Sequence, residues 1–461
     1  MKTETFKTIN PTNGKTLETY QYMSDSEIEN TIQKSHNAFK EWRLKSFDER
    51  GEIIQSIGVE LKNQKSELAQ LMTDEMGKLL KQSHQEVKLC AAICDYCAST
   101  AAKNLKEEKR QLSNGGTGLI TYAPIGIIYG IQPWNYPSYQ VIRYAITNLM
   151  AGNSVLLKHA GNVTGTAKKL EAIFKAAGLP DGLFSVLVIN HDQSDTIIEH
   201  KLVRGVTLTG SPNAGKVIGK KAGEHLKKTV LELGSNDAYI ILEDADLELA
   251  VKKSVQGRIY NNGETCIAAK RFIAVEAVYN QFKDAFVKAM SQLKLGNPND
   301  ENTELGPMAR EDLREKIHKQ VTESVEKGAE ILCGGKPEDG EGYFYPATVL
   351  GNVKPGQPAY SDELFGPVAS LIKAKDEEDA MRIANDSRFG LGGGIFSKDV
   401  SRATKLANLH FDTGMVFINS FGLAEPNMPF GGVKDSGYGR EHGGFGMREF
   451  VNVKSILISN E

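Results

Sequence analysis

An α/β fold of two tandem units with parallel sheets is predicted by three features of the sequence. From about residue 116, short β-rich runs alternate with helical ones: GLITYAPIGIIYGI, SYQVIRYAITNLMAG, NSVLLKH, TGTAKKLEAIFKAAG, FSVLVIN, DQSDTIIEHKL, VRGVTLTG, NAGKVIGKKAG and TVLELG. Alternation of this kind argues βαβ units. A second such series opens at DAYIILEDAD, continues through a helix near 246–260 and the run RFIAVEAV, and extends to about residue 415. The third feature is length, since 461 residues exceed what one ordinary core serves. The units join near Leu233 and Gly234. Ligands are expected in the cleft between them and beyond the carboxyl ends of the strands.

The flanking segments have other textures. Residues 25–110 carry charged and apolar residues at helical period with little β-branched clustering, which predicts a helical preface. Within it Cys90, Cys94 and Cys97 share one helix face beside Leu89 and Ile93, so they read as packing thiols rather than metal ligands. The end of the chain, VNVKSILIS, alternates as a strand and must pair within the chain or with a partner subunit.

Composition narrows the function. Hydrophobic residues at 40% and charged residues at 25% are those of a globular protein, and a net charge of -3 leaves no basic field for a nucleic-acid backbone. No run approaches the roughly 18 apolar residues of a membrane span, and MKTETFKTINPTNGK lacks a signal-peptide core. A reducing, cytoplasmic setting is expected, which keeps thiols free.

One of those thiols stands in YNNGETCIAAKR, residues 260–271. Read alone, Cys266 is a small buried hydrophobe or a nucleophile, and the cations Lys270 and Arg271 follow it. LTGSPNAGKVIG, at 208–219, reads as strand, glycine turn and helix start, where N–H groups and the helix dipole attract phosphate. Other residues have plain readings: Asn135 as turn chemistry in PWNYP, Glu232 as a structural partner closing TVLELG, Lys158 as solvated and Glu363 as a surface carboxylate.

Five motifs taken in order, PWNYP at 133–137, LELGSND at 231–237, NNGETC at 261–266, DELFGPV at 362–368 and PFGGVKDSGYGRE at 429–441, resemble the aldehyde dehydrogenase superfamily across nearly the whole chain. The resemblance implies a Rossmann-like cofactor domain (1–115 and 131–231), an α/β catalytic domain (232–430) and a small β oligomerisation domain (116–130 and 431–461). It also implies a homodimer or homotetramer, no metal, and an aldehyde substrate.

The chemistry accounts for the residue types. An aldehyde carbon releases hydride only after a nucleophile adds to it, and the resemblance makes Cys266 that nucleophile. It gives Asn135 and the Cys266 N–H the role of oxyanion donors, and Glu232 that of the base that serves thiol activation and activates water against the thioester. Acyl-CoA-forming members typically lack this Glu, so water is the expected acceptor. Trp134, Lys158, Gly210, Ser211, Glu363 and Phe365 match coenzyme-binding positions, with Lys158 on the adenosine ribose and Glu363 on the nicotinamide ribose. Gly215 is expected to serve helix packing. Three residues past Lys158, where NAD-preferring members often carry Glu, stands Gly161; NAD is the expected coenzyme, with NADP open and Lys158 and His159 able to tolerate its phosphate.

For the substrate side the resemblance implies Arg143 and Phe430. Arg143 lies eight residues after Asn135, about two helical turns on, where the succinate-semialdehyde branch has an arginine that would hold a distal carboxylate. Its alternative is pairing with an internal acid. A second arginine of some members is Tyr260 here, with Arg258 near but facing differently. Glu264 replaces the usual Gln and could raise the thiol pKa; with no cysteine beside Cys266, no local disulfide switch is expected. The rivals are a broad aldehyde dehydrogenase, a non-catalytic protein of the same fold, and a cofactor-free cysteine hydrolase.

Overall fold

A computed structural model describes residues 4–459; Met1–Thr3, which open the N-terminal stretch, and Asn460–Glu461 lie outside it. After a hairpin of Thr5–Ile9 and Thr16–Gln21, four helices follow: Asp25–Trp42, Phe47–Asn63, Lys65–Met76 and Leu80–Asn104. Ser24 with Glu27, and Ser46 with Glu49, close capping boxes that start the first two. Cys90, Cys94 and Cys97 are fully buried on the inner face of the fourth helix, packed with Ile54, Ile57 and Ile142.

The first α/β unit is a six-stranded sheet in the order Gly437–Tyr438, Lys228–Glu232, Val203–Thr209, Ile127–Gln132, Ser154–His159, Phe184–Val186, parallel except for the short first strand. From the central strand Ile127–Gln132 the chain builds outward to one side and then returns to the other. The crevice therefore opens where Ile131 pairs with Leu208, at the topological switch point where such sheets bind ligands. Just beyond it stand Trp134 and Asn135 on one strand's exit and Gly210 and Ser211 on the other's.

The second unit is a seven-stranded sheet, Glu330–Cys333, Thr348–Gly351, Val368–Ala374, Arg271–Val275, Ala238–Ile241, Gly393–Phe396, Phe417–Ile418, parallel apart from its first strand. Its central strands are buried on both faces, which is why AYII and RFIAV read as continuous apolar runs. It gathers its own core around Tyr239, Phe272, Phe286 and Phe396, separate from that of the first unit.

A third sheet of three antiparallel strands, Val451–Ile458, Thr117–Pro124 and Glu108–Gln111, answers the question of the terminal strand: it pairs within the chain, from Thr117 with Ile458 to Pro124 with Val451. The sequence boundaries at 130 and 431 differ from this arrangement. Residues 127–130 and 437–438 belong to the six-stranded sheet, and 108–111 to the small one. GLITYAPIGIIYGI reads as one run, yet the chain breaks at Ile125 and Gly126, whose N–H groups donate to the Asn153 side chain at 2.8 and 3.1 Å.

Candidate active site

Cys266 lies where two cavities meet. One is a cleft of about 390 Å³ lined by Trp134, Asn135, Ser211, Glu363 and Phe365 among others. The other is a narrow apolar space of about 20 Å³ bordered by Tyr136, Tyr139, Ile267 and Phe430. Cys266 and Gln140 line both. The two spaces therefore share one wall at Cys266 and Gln140.

The turn that presents the thiol is left-handed at two consecutive asparagines, Asn261 at φ 54° and Asn262 at φ 56°, a conformation that asparagine tolerates better than most residues. Both are buried and both side chains tie neighbouring segments together. Asn261 Nδ2 donates to the main-chain oxygens of Asn135 (2.8 Å) and Glu264 (3.1 Å). Asn262 Nδ2 donates to Gly77 and Pro307, both at 2.9 Å. Reading the sequence for chemistry passed over Asn261; the repeated Asn before Gly was the available signal for a left-handed turn.

Asn135 Nδ2 donates to the Glu264 carbonyl at 3.0 Å, leaving its second amide hydrogen for a ligand. Its segment is fixed from behind. The buried Glu86 carboxylate accepts the N–H groups of Ser138 and Tyr139 at 2.9 Å and pairs with the buried Lys78.

Burial pushes the Cys266 thiol up to about 12; Arg143 and Lys270 pull it down, while Glu363 and Asp237 push it further up. The Glu264 side chain turns away, with its carboxyl accepting the Ala309 N–H at 3.2 Å, and burial keeps it neutral by raising it well above the carboxylate range. The upward push on the thiol pKa expected of Glu264 is exerted instead by Glu363 and Asp237. Cys90, Cys94, Cys97, Cys266 and Cys333 are all free thiols.

Glu232 closes the strand Lys228–Glu232 and is 2% exposed, with both carboxyl oxygens unpartnered among the described residues. Burial and the neighbouring Glu441 raise it well above the usual range, against the pull of Arg143 and Arg440. It packs on Gly431, where φ is +149° and a Cβ would stand 2.8 Å from Glu232 Oε1. Its carboxyl does not line the cleft.

On the cleft side, Trp134 meets Phe365 edge to face at 5.8 Å. The Glu363 carboxylate accepts the Ser235 N–H at 2.9 Å. Gly210 lines the wall with its N–H donated to the Glu232 carbonyl at 2.9 Å, and Ser211 caps the helix Pro212–Glu224 through the Ala214 N–H at 3.2 Å. Gly215 is pressed against Leu233 with no room for a side chain, which is a helix-packing contact.

Lys158 borders a further cavity of about 260 Å³ with Gly161, Thr164, His191 and Arg310. His159 lines the same cavity and has a second function. Its Nε2 lies 2.8 Å from the Pro137 carbonyl, burial lowers it to about 4, and its neutral ring fixes the PWNYP turn rather than offering charge to a phosphate.

Arg143 is 1% exposed and pairs with Glu441, the internal acid of its alternative reading. It also donates to Thr209 Oγ1 at 3.0 Å, and its guanidinium lies 4.6 Å from the Phe430 ring centroid. It lies behind the apolar wall formed by Phe430 and Tyr139 rather than in the open. Tyr260 donates to Gln85 at 2.9 Å, and the buried Arg258 donates to the Gly263 carbonyl at 2.7 Å, so neither borders the narrow space as a second clamp.

Two α/β units around a switch-point crevice, with a thiol where a cleft and a narrow apolar pocket meet, have the architecture of a two-domain enzyme. The model of the aldehyde dehydrogenase family matches residues 1–456, and the chain belongs to that family. It is 44% identical over 448 residues to a succinate semialdehyde dehydrogenase [NAD(P)+] of Escherichia coli K12, covering 97% of this chain and 96% of the relative. Identity to a succinate-semialdehyde dehydrogenase [NADP(+)] of Deinococcus radiodurans is 40% over 451 residues, 98% of this chain and 94% of the other. The crystal structure of succinic semialdehyde dehydrogenase from Streptococcus pyogenes with NADP+ superposes with a TM-score of 0.96 at 37% identity, over 99% of this chain and 100% of that one.

Proposed function

We propose that this enzyme oxidises succinate semialdehyde to succinate, with Cys266 as nucleophile and NADP or NAD as hydride acceptor. The observation that carries the reading is the meeting of cleft and apolar pocket at one thiol; the names of the relatives support the substrate.

The Cys266 thiol gives its proton to water, the thiolate attacks the aldehyde carbon, and the new oxyanion takes hydrogen bonds from Asn135 Nδ2 and the Cys266 N–H; when that carbon gives up hydride the oxyanion becomes a carbonyl and a thioester remains on Cys266. The nicotinamide, when bound, supplies the hydride acceptor. Its fit rests on residues present: the capped helix start at Ser211 for the pyrophosphate, Trp134 and Phe365 beside the ring, and Glu363 for the ribose hydroxyls. Lys158 and Arg310 border the third cavity, whose described lining includes no carboxylate, which supports admitting NADP alongside NAD. Glu232 leaves its pocket, ionises, and takes a proton from the water that hydrolyses the thioester.

The substrate carboxylate meets Arg143 by exchanging with Glu441. A second reading, a broad aldehyde dehydrogenase in which Arg143 is structural, is favoured by that same ion pair and by the apolar wall before it. The exposed Val453, Ile456, Leu457 and Ile458 on the edge strand support a homo-oligomer, and the need for a free Cys266 suits a reducing cytoplasm.

The test is absorbance of reduced coenzyme on mixing with succinate semialdehyde or an uncharged aldehyde of equal length. Formation faster with the acid, and abolished by Cys266→Ser, is expected. Equal rates favour the second reading, and an active Cys266→Ser overturns both.

A further inference from the structure

Lys270 follows the nucleophile by four residues and is 0% exposed. A buried ammonium needs partners on every side, and here they come from two functional elements. Nζ donates to the main-chain oxygens of Cys266 at 2.6 Å and Thr265 at 3.2 Å. It also lies 3.5 Å from the carboxylate of Glu363, which lines the cleft and is anchored by the Ser235 N–H.

Arg271 beside it has a different office. Its guanidinium donates to the carbonyls of Asn236, Ile383 and Ala384, which makes it a strut within the second unit. Of the two cations after Cys266, Lys270 therefore touches both the nucleophile's backbone and the coenzyme-facing wall.

We propose that Lys270 is a positioning residue that couples Glu363 to the Cys266 turn, so that donors taken up by Glu363 leave the ammonium free to act on the sulfur. The coupling rests on the reading above of Cys266 as nucleophile and Glu363 as the ribose carboxylate. With the cleft open, Glu363 offsets the Lys270 charge. Ribose hydroxyls donating to Glu363 draw its negative charge outward, and the field of Lys270 on Cys266 grows.

The other charged groups in this neighbourhood are held apart from that exchange. Asp237 and Arg258 also face Lys270, but Asp237 is fixed by Ser235 and by the Gly392 N–H, and Arg258 by the Gly263 carbonyl. Cys266 is further faced by Arg143, which pairs with Glu441, and by the hydroxyl-bearing rings of Tyr136 and Tyr139. None of these partners sits on the cleft wall beside Glu363.

The experiment follows the rate of Cys266 alkylation by iodoacetamide against pH, read on the Cys266 peptide by mass spectrometry, without coenzyme and with saturating NADP+. In the unaltered enzyme NADP+ lowers the apparent thiol pKa by about one unit. In Lys270→Met that shift is lost while NADP+ still quenches tryptophan fluorescence. In Glu363→Gln the coenzyme-free profile already lies below that of the unaltered enzyme, and by more than the same substitution lowers it in the Lys270→Met background, where only the direct push of Glu363 on the sulfur is removed. A full NADP+ shift in Lys270→Met, or an unchanged profile in Glu363→Gln, overturns the coupling. Should Lys270→Met fail to fold, Lys270→Gln takes its place in both comparisons. An unaltered enzyme that forms no NADPH from aldehyde overturns the underlying reading as well, whereas an active one with an unchanged Glu363→Gln profile overturns the coupling only.

Discussion

The cleft and the apolar pocket on either side of Cys266 handle charge in opposite ways. On the cleft side, Glu363 and the capped helix start at Ser211 stand at the wall where a ligand can use them. On the pocket side, Arg143, Glu441 and Glu232 are all buried behind Phe430, Tyr139 and Gly431. The difference teaches that the side proposed for the coenzyme has its polar groups already at the wall, whereas the side proposed for substrate and hydrolysis buries its charges, which would have to rearrange to act.

If that is so, variants on the pocket side should separate steps that variants on the cleft side do not. The largest effect is expected from Glu232→Gln. Loss of a general base lowers turnover by about 10³, while a burst of reduced coenzyme, one per active site, remains because acylation does not need the carboxylate. The sign with pH follows from the raised pKa: only the ionised form accepts a proton, so hydrolysis in the unaltered enzyme rises as pH climbs through the Glu232 pKa. A missing burst would place Glu232 in acylation instead.

Asn135→Ala, at the boundary of the two sides, removes an oxyanion donor and should lower kcat by about 10² to 10³ with little change in KM. Because Asn135 also holds the Glu264 carbonyl, melting temperature should be measured beside it; a large fall there would assign the loss to the turn.

Arg143→Ala is expected to raise KM about tenfold more for succinate semialdehyde than for the uncharged aldehyde, the scale of one charge-assisted hydrogen bond. Equal changes for both substrates would mean that the Glu441 pair is purely structural.

The smallest effect is that of Glu264→Gln. The folded carboxyl is held neutral above the unfolded pKa, so unfolding releases a proton above about pH 4.5 and the native Glu loses stability as pH rises through that window. The variant should therefore gain a few degrees in Tm at pH 8 relative to the unaltered enzyme and little at pH 4.5, with the pH profile of Cys266 alkylation unchanged.

The sequence by itself determined the alternation of strands and helices and the two-unit plan, and it singled out Cys266 as the candidate thiol. These depend on periodicity, and on short contiguous motifs such as NNGETC and LELGSND whose chemistry is set by residue type. It also marked Gly215 as packing and the terminal segment as a strand. Only the tertiary structure decided which charges are spent. Arg143 and Glu441 are nearly 300 residues apart and meet because the glycine-rich segment after Phe430 folds back onto the helix Tyr139–Ala151. Lys270 and Glu363 meet because the strands that follow Cys266 and Gly366 are neighbours in one sheet. His159, expected only to tolerate a phosphate, also holds the PWNYP turn because the Pro137 carbonyl lies 2.8 Å from its Nε2. Periodicity reports which face of an element is buried; whether a buried charge is free or paired depends on contacts between elements, and those exist only once the chain has folded.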